Sequence, residues 1–198
     1  MQMDSRADGW NQIRAGLALI EWSNLASWDK NTGKLSASAQ PAFEAVAVKR
    51  HQQFGRVISW IVFAVGCEYV LKGVCLVRGL LQPKLKKVLR PPHPDDDLAN
   101  WIHQALGNSD SVREEVSITG QLKQLPLDKL VSGLPERDLA MAAFELLRES
   151  IRNRDAHQYV RDVRAAHFKA VPRLLVPALN AVLGSLSPNE VLSELSAA

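Results

Sequence analysis

Cysteine is scarce in this 198-residue chain, which has only Cys67 and Cys75. Both lie in one apolar segment, at i and i+8. On a helix that spacing is too long for a disulfide bridge, and no C-x-x-C pattern exists. We therefore expect buried thiols in a reducing compartment. The first residues also lack the charged-then-apolar pattern of a signal peptide. Together these absences predict a cytoplasmic protein.

An excess of charge of one sign is also lacking, because the formal net charge is only +3. An excess this small permits an anionic partner without requiring one, so any affinity for nucleic acid depends on where the basic residues lie. Hydrophobic residues make up 46% of the chain, which is enough for a core. The length suits one domain, or one domain with an insertion.

The chain shows no glycine-rich phosphate loop, no internal repeat and no convincing alternation of period two. Strand pairing is therefore not expected. Apolar residues recur at helical spacing instead, which predicts an all-α protein, a bundle of about four to five main helices. An inserted region of loops and short helices is expected at about 82–134.

The first predicted helix runs from Trp10 to about Trp28. Its apolar face is formed by Trp10, Ile13, Leu17 and Ile20. Residues 30–40 are polar and are predicted to form a loop. Pro41 then suits the first turn of a second helix.

The most apolar segment, Val57–Leu81, is long enough to raise the question of a membrane span. Glu68 and Lys72 argue against one, because each costs roughly 2.5–3.5 kcal/mol near a bilayer centre on insertion scales. Glutamate four residues before lysine stabilises a helix in water. We therefore predict the central buried helix of the bundle and no membrane span.

The expected insertion begins with a basic run, Lys84–Arg90, which we interpret as a solvated loop rather than a track for RNA. Three prolines and three aspartates follow. The aspartates suit a helix start, because negative charge is favourable at a helix N-terminus. A metal site with His93 is the less favoured alternative. Residues 98–106 are predicted to form a short helix.

A further helix is predicted to begin at Pro135, with a proline and acidic residues in its first turn. Its apolar face comprises Leu139, Ala140, Ala143, Phe144, Leu146, Leu147 and Ile151. A last helical run follows the segment 149–159, and Pro172 and Pro177 are expected to kink or divide it. The tail from Ser185 is expected to fray, although Val191 and Leu192 are candidates for docking.

The segment 149–159 concentrates most of the chemistry in the chain. On a continuous helix, Arg152 and His157 point about 140° apart. They can share one site only if the helix breaks between them or if two copies meet at an interface. Asn153 and Asp155 favour a break, because both compete for backbone hydrogen bonds and cap helices. The free N–H groups of a helix N-terminus there would suit a phosphate.

Arginine and histidine together suit the cleavage of RNA without a metal or a cofactor. Arg152 would stabilise charge on the phosphate, His157 would move protons, and the ribose 2′-hydroxyl would be the nucleophile. Candidates for binding flanking phosphates are Arg154, Arg161 and Arg164. Arg161 and His167 form a similar pair, but His167 falls on an apolar stripe and is interpreted as a core or interface residue.

The pattern Arg152-Asn153-x-x-x-His157-x-Tyr159 resembles the signature of the HEPN superfamily. This superfamily contains small all-α domains that are common in prokaryotic defence and toxin–antitoxin systems. The stretch 68–72 is similar to an early bundle helix of the family. The resemblance covers about 43–81 and 136–186, so that 1–198 would be a single HEPN-like helical domain with the insertion inside it.

The resemblance implies a homodimer that brings two Arg–His motifs together in a composite cleft. It also implies a metal-independent endoribonuclease that leaves cyclic phosphate and 5′-hydroxyl ends. Asn153, Asp155 and Tyr159 would support the catalytic pair. In the toxin branch a nucleotidyltransferase partner can adenylylate the tyrosine, which here is Tyr159. Some members are non-catalytic, so the alternative hypothesis is a helical module that binds a nucleotide or a protein.

Overall fold

The structure is a computed structural model that describes residues 5–38, 49–81, 84–89, 97, 112–117, 125–149 and 165–196. Helices account for 71% of the residues whose structure is described, which confirms a mainly helical protein. In chain order the elements are α1 (Ser5–Trp22), β1 (Ala26–Asp29), β2 (Lys34–Ala37), α2 (Lys49–Val77), β3 (Lys84–Leu89), β4 (Val112–Ser117), α3 (Leu127–Leu130), α4 (Arg137–Leu146), α5 (Ala165–Leu183) and α6 (Pro188–Ser196).

The chain divides into two compact units. One comprises Met1–Leu81 with Gly120–Ala198, and the other comprises Gln82–Thr119. In the smaller unit, β3 and β4 pair antiparallel, with Lys86 opposite Glu115 and Lys87 opposite Glu114. The interpretation of the basic run as a loop is therefore wrong over 84–89. The partner strand lies too far along the chain for local patterning to find it.

In the larger unit, α1 and α2 run antiparallel with their backbones in direct contact. Gly9 faces Gly73, and Gly16 faces Gly66. A Cβ atom added at Gly16 would lie 2.7 Å from the carbonyl oxygen of Gly66, and one added at Gly73 would lie 2.6 Å from that of Gly9. No larger residue fits these positions without moving a backbone, so the four glycines set the helix separation.

The predicted apolar face of α1 is confirmed, because its four residues are all buried. The helix ends earlier than predicted, at Trp22 rather than near Trp28. Asn24 just beyond it has φ 58°, and the Ser23 hydroxyl donates to the carbonyl of Ile20 at 2.5 Å. Asparagine tolerates this left-handed conformation, which stops a helix. The chain then turns directly into β1.

The polar stretch after α1 forms a hairpin rather than the predicted loop. Strands β1 and β2 pair antiparallel with Trp28 opposite Leu35. In the turn, the Asp29 carboxylate accepts from the Thr32 hydroxyl at 2.8 Å and from the Asn31 N–H at 2.9 Å. These two bonds, the hydroxyl first, lower the pKa of Asp29. The expectation of no strand pairing fails because each strand has only four residues.

Helix α2 is buried along most of its length, as predicted. Within it, Gly55–Val77 is long and apolar enough to cross a membrane, and 72% of an 18-residue window of that stretch is buried inside the protein. A bent pair, Lys169–Leu183 with Pro188–Leu195, passes the same test only when taken together.

The end of α2 is well defined: Gly79 has φ 68°, and the N–H of Leu80 reaches the carbonyl of Cys75 at 2.7 Å. This is the Schellman arrangement, which satisfies terminal carbonyls.

Helix α4 begins at Arg137, close to the predicted start. Its buried face is narrower than predicted, because Leu139 is 48% exposed. The residues of α4 that are buried are Ala140, Ala143 and Phe144.

Helix α5 is not divided, since it stays helical through Pro172 and Pro177. An interior proline costs about 3 kcal/mol. Burial of a large apolar side chain contributes about 1.5–3 kcal/mol. Four such side chains of α5 are fully or almost fully buried: Leu175, Leu179, Val182 and Leu183. Their burial offsets the cost of the prolines.

The expectation of a frayed tail is also wrong, because residues 188–196 form α6. Val191 and Leu195 dock into the core, whereas Leu192 is 39% exposed. Pro188 suits the first helical position, where its missing N–H has no cost. The predicted second-helix start at Pro41, the predicted short helix 98–106 and the candidate residue His93 lie outside the described residues.

Candidate functional site

The residues predicted to form the site all fall in 150–164, which lies outside the described residues. They are Arg152, Asn153, Arg154, Asp155, His157, Tyr159, Arg161 and Arg164. Their proximity and roles therefore stay predictions. The structure describes the chain on both sides of them, and these two flanks define the setting of the segment.

On the N-terminal side, α4 widens into a π-helical turn over 147–149. The N–H of Leu147 reaches the carbonyls of both Ala143 and Phe144. Leu147 is fully buried, and the Nε of Arg148 lies 3.0 Å from the carboxylate of Glu149. Single π-turns are rare and are found frequently at functional sites. Regular α-helical geometry therefore ends at Leu146.

On the C-terminal side, α5 carries two exposed basic residues, Lys169 and Arg173. They are four residues apart, so they lie on the same face of the helix, one turn from each other. Both follow the predicted phosphate-binding arginines in sequence. The prediction from sequence missed them, although the basic i, i+4 spacing was a readable signal.

A buried charged pair lies at the middle of α2. The Lys72 Nζ is 2.5 Å from the Glu68 carboxylate, with side-chain exposures of 13% and 7%. The ammonium also lies 6.0 Å from the centre of the Tyr69 ring, at the outer limit of a cation–π contact. Removing only one partner of a buried ion pair strongly destabilises a protein, because the other charge is left buried and unpaired. The sequence predicted this pair as a helix stabiliser but did not predict its burial.

Neither cysteine is suited to catalysis. Both thiols are free and buried, as predicted. Burial raises the pKa of Cys67, and it raises that of Cys75 to about 12 against the opposing charge of Arg78. Protonated thiols are poor nucleophiles and poor metal ligands. Within the described ranges, no group of three or more His, Cys, Asp or Glu residues could hold a metal ion.

Three clefts that open to solvent include residues of α6 in their lining. One of about 180 Å³ lies between α6, the end of α5 and the hairpin turn, and is lined mostly by apolar side chains. A second of about 300 Å³ lies between α6 and α1, where Arg6, Arg14, Glu190 and Glu194 line it. A third of about 250 Å³ lies beside Leu195 and Trp28.

Comparison of the chain with protein-family models, with curated proteins and with solved structures finds no match.

Proposed function

We propose that this protein is a metal-independent endoribonuclease of the HEPN type, acting as a toxin or defence effector in the cytoplasm. The observation that carries the proposal is the spacing Arg152-Asn153-x-x-x-His157-x-Tyr159, which begins three residues after the π-turn at 147–149. The mainly helical fold agrees with this proposal. No other stretch of the chain combines these side chains.

The proposed reaction needs only groups of the chain and of the RNA. The ribose 2′-oxygen attacks the adjacent phosphorus as His157 accepts its proton. The bond from phosphorus to the 5′-oxygen breaks, and that oxygen takes up the proton from the imidazolium of His157. The products are a 2′,3′-cyclic phosphate and a 5′-hydroxyl. Arg152 stabilises the charge that develops on the phosphate oxygens.

The other residues of the segment have supporting roles in this proposal. Asn153 and Asp155 end one helix and begin the next, and Tyr159 lies at the edge of the site. The RNA strand is held by a series of basic side chains: Arg154, Arg161, Arg164, Lys169 and Arg173. Charge of this kind binds phosphates without regard to sequence.

We propose further that the active species is a homodimer. Arg152 and His157 point about 140° apart on a regular helix. Pairing two copies at this segment lets an arginine and a histidine from different chains face one phosphate. The protein partner we propose, by the same resemblance, is a nucleotidyltransferase-type antitoxin that modifies Tyr159.

The test is cleavage of total RNA by the purified protein with and without EDTA. We expect cleavage in both conditions and cyclic phosphate ends. His157→Ala should lower the rate by about 10²–10⁴, the usual contribution of a positioned proton-transfer group. Arg152→Ala should lower it by about 10²–10³, the usual cost of removing one group that stabilises charge in the transition state. His167→Gln is the matched control, because His167 belongs to the second, similar pair, and it should keep the wild-type rate.

Wild-type protein that leaves RNA as intact as His157→Ala does would refute the nuclease. Binding of RNA or nucleotide without cleavage would then favour the non-catalytic module. Light scattering at micromolar concentration tests the dimer separately, and a monomer would contradict the composite site.

A further inference from the structure

Helix α6 is attached to the rest of its unit by few apolar contacts. Of its nine residues, Val191 and Leu195 are buried, whereas Leu192 is 39% exposed. The helix lies at 108° to α5, beyond a four-residue elbow at 184–187. A short amphipathic helix with two buried side chains has little apolar area to hold it in place.

Two ion pairs add to this attachment. The Arg6 guanidinium lies 2.5 Å from the Glu190 carboxylate, and the Arg14 guanidinium lies 2.6 Å from that of Glu194. The Nε of Arg14 also donates to the main-chain carbonyl of Glu194 at 2.8 Å. The four side chains are between 30% and 50% exposed, so water and salt screen both ion pairs.

Clefts that open to solvent border α6. Three of them measure about 180, 300 and 250 Å³. The helix is therefore surrounded in part by water rather than by packed side chains, and it loses few packing contacts when it leaves.

We propose that α6 is an exchangeable helix, which leaves its groove on α1 and α5 and is replaced there by α6 of a second copy of the chain. The groove is specific for this helix. It buries the side chains of Val191 and Leu195, and its two arginines form ion pairs with the two glutamates of α6. The same helix from a second copy remakes every one of these contacts. Exchange of an identical element is a low-cost route to a dimer. The elbow at 184–187, with one glycine and two serines, is the hinge.

The experiment uses two charge-reversed, full-length variants. One carries Arg6→Glu and Arg14→Glu, and the other carries Glu190→Arg and Glu194→Arg. Within either variant α6 meets like charges and should undock. In a mixture, α6 of each variant meets opposite charges only on the other chain. Native mass spectrometry measures heterodimers, and hydrogen exchange measures protection of residues 188–196.

We expect hydrogen-exchange protection at 188–196 to be at least tenfold lower in each variant alone than in the wild type. In the equimolar mixture we expect this protection to return, together with a heterodimer. A chain that carries all four substitutions is the control, because it can pair internally and should be protected alone. Protection in the mixture that equals the average of the separate variants would overturn the proposal. So would unchanged protection in either variant alone.

This proposal does not rest on the nuclease, and its failure is distinguishable from that of the nuclease. A dimer formed through the segment 149–159 would give heterodimers without protecting 188–196. RNA cleavage is not part of the readout.

Discussion

A single side-chain amide, that of Asn180, joins helix α5 to the first hairpin. Its Nδ2 donates to the carbonyl of Leu35 at 2.8 Å, and its Oδ1 accepts from the Leu35 N–H at 2.8 Å. The amide thus satisfies both outward-facing main-chain groups of a strand residue whose side chain is buried. In effect it replaces one residue of a third strand.

Asn180→Leu should destabilise the protein by about 1–3 kcal/mol, because it leaves a partly buried N–H and C=O without partners. Urea denaturation followed by circular dichroism measures the free energy of unfolding. Asn189→Leu on exposed α6 is the control, for which a change within about 0.5 kcal/mol is expected. Equal effects at the two positions would show that the amide does not anchor the hairpin.

At the scale of elements, the α1–α2 pair depends on residues that have no side chain. Gly16 and Gly66 approach so closely that a methyl group on either meets main-chain atoms within 2.8 Å. Alanine would otherwise be preferred here, because glycine inside a helix costs about 0.5–1 kcal/mol relative to alanine. The close approach of the two backbones therefore predicts that alanine at Gly16 lowers the free energy of unfolding, whereas helix propensity predicts that alanine raises it.

Gly16→Ala should lower the free energy of unfolding by about 1–3 kcal/mol, the usual cost of forcing extra volume into a packed site. Thermal and urea unfolding both report it. The control, Ala15→Ser, lies one residue away on the exposed face and should change stability by roughly 0.5 kcal/mol. Stabilisation by Gly16→Ala would mean that the two backbones are not in contact.

Helices were easier to predict than strands in this chain, for a physical reason. Apolar residues recur at helical spacing over many turns in α1 and α2, so the helical period is evident from the sequence. Strand β2 buries one side chain, that of Leu35. The group that binds the outward-facing main chain of Leu35 is the side-chain amide of Asn180, 145 residues away. No local pattern carries that information. Helix α6 was missed because only Val191 and Leu195 mark its buried side.

At the scale of the whole molecule, the chain has a helical unit and a smaller unit, Gln82–Thr119. In the described residues the six helices all belong to the first unit, and β3 and β4 belong to the second. Among the residues whose burial is described, those of the hydrophobic core likewise come from the first unit. The helical unit is therefore expected to fold without the smaller one.

Replacing 82–119 by a flexible Gly/Ser linker of about 12 residues, which spans roughly 20 Å, should leave a cooperative thermal transition. The helical circular dichroism per residue should rise, because the described elements of the removed part are the strands β3 and β4. The matched control puts the same linker in place of 26–37, the hairpin that Asn180 anchors, and should lose stability. A non-cooperative or aggregated product of the first replacement would show that the smaller unit is needed for folding.

The candidate site was predicted from sequence at the level of residue types and spacing. The pattern from Arg152 to Tyr159 can be read without a structure, and α4 leads towards it as predicted. The π-turn at 147–149 was not predicted, because no glycine, proline or other turn residue marks it in the sequence. In the proposed dimer, the arginine and the histidine of one site come from different copies of the chain. The spacing of residues along one chain does not predict this.

The paired glycines of α1 and α2 also restrict how the molecule can move. Packed helices commonly adjust by sliding past each other. A slide of one turn, about 5.4 Å, would bring Gly16 opposite Val62 or Val70 in place of Gly66. Neither valine fits where the backbones touch. This helix pair is thus locked against shear, and any working motion of the protein has to come from segments that hinge around it.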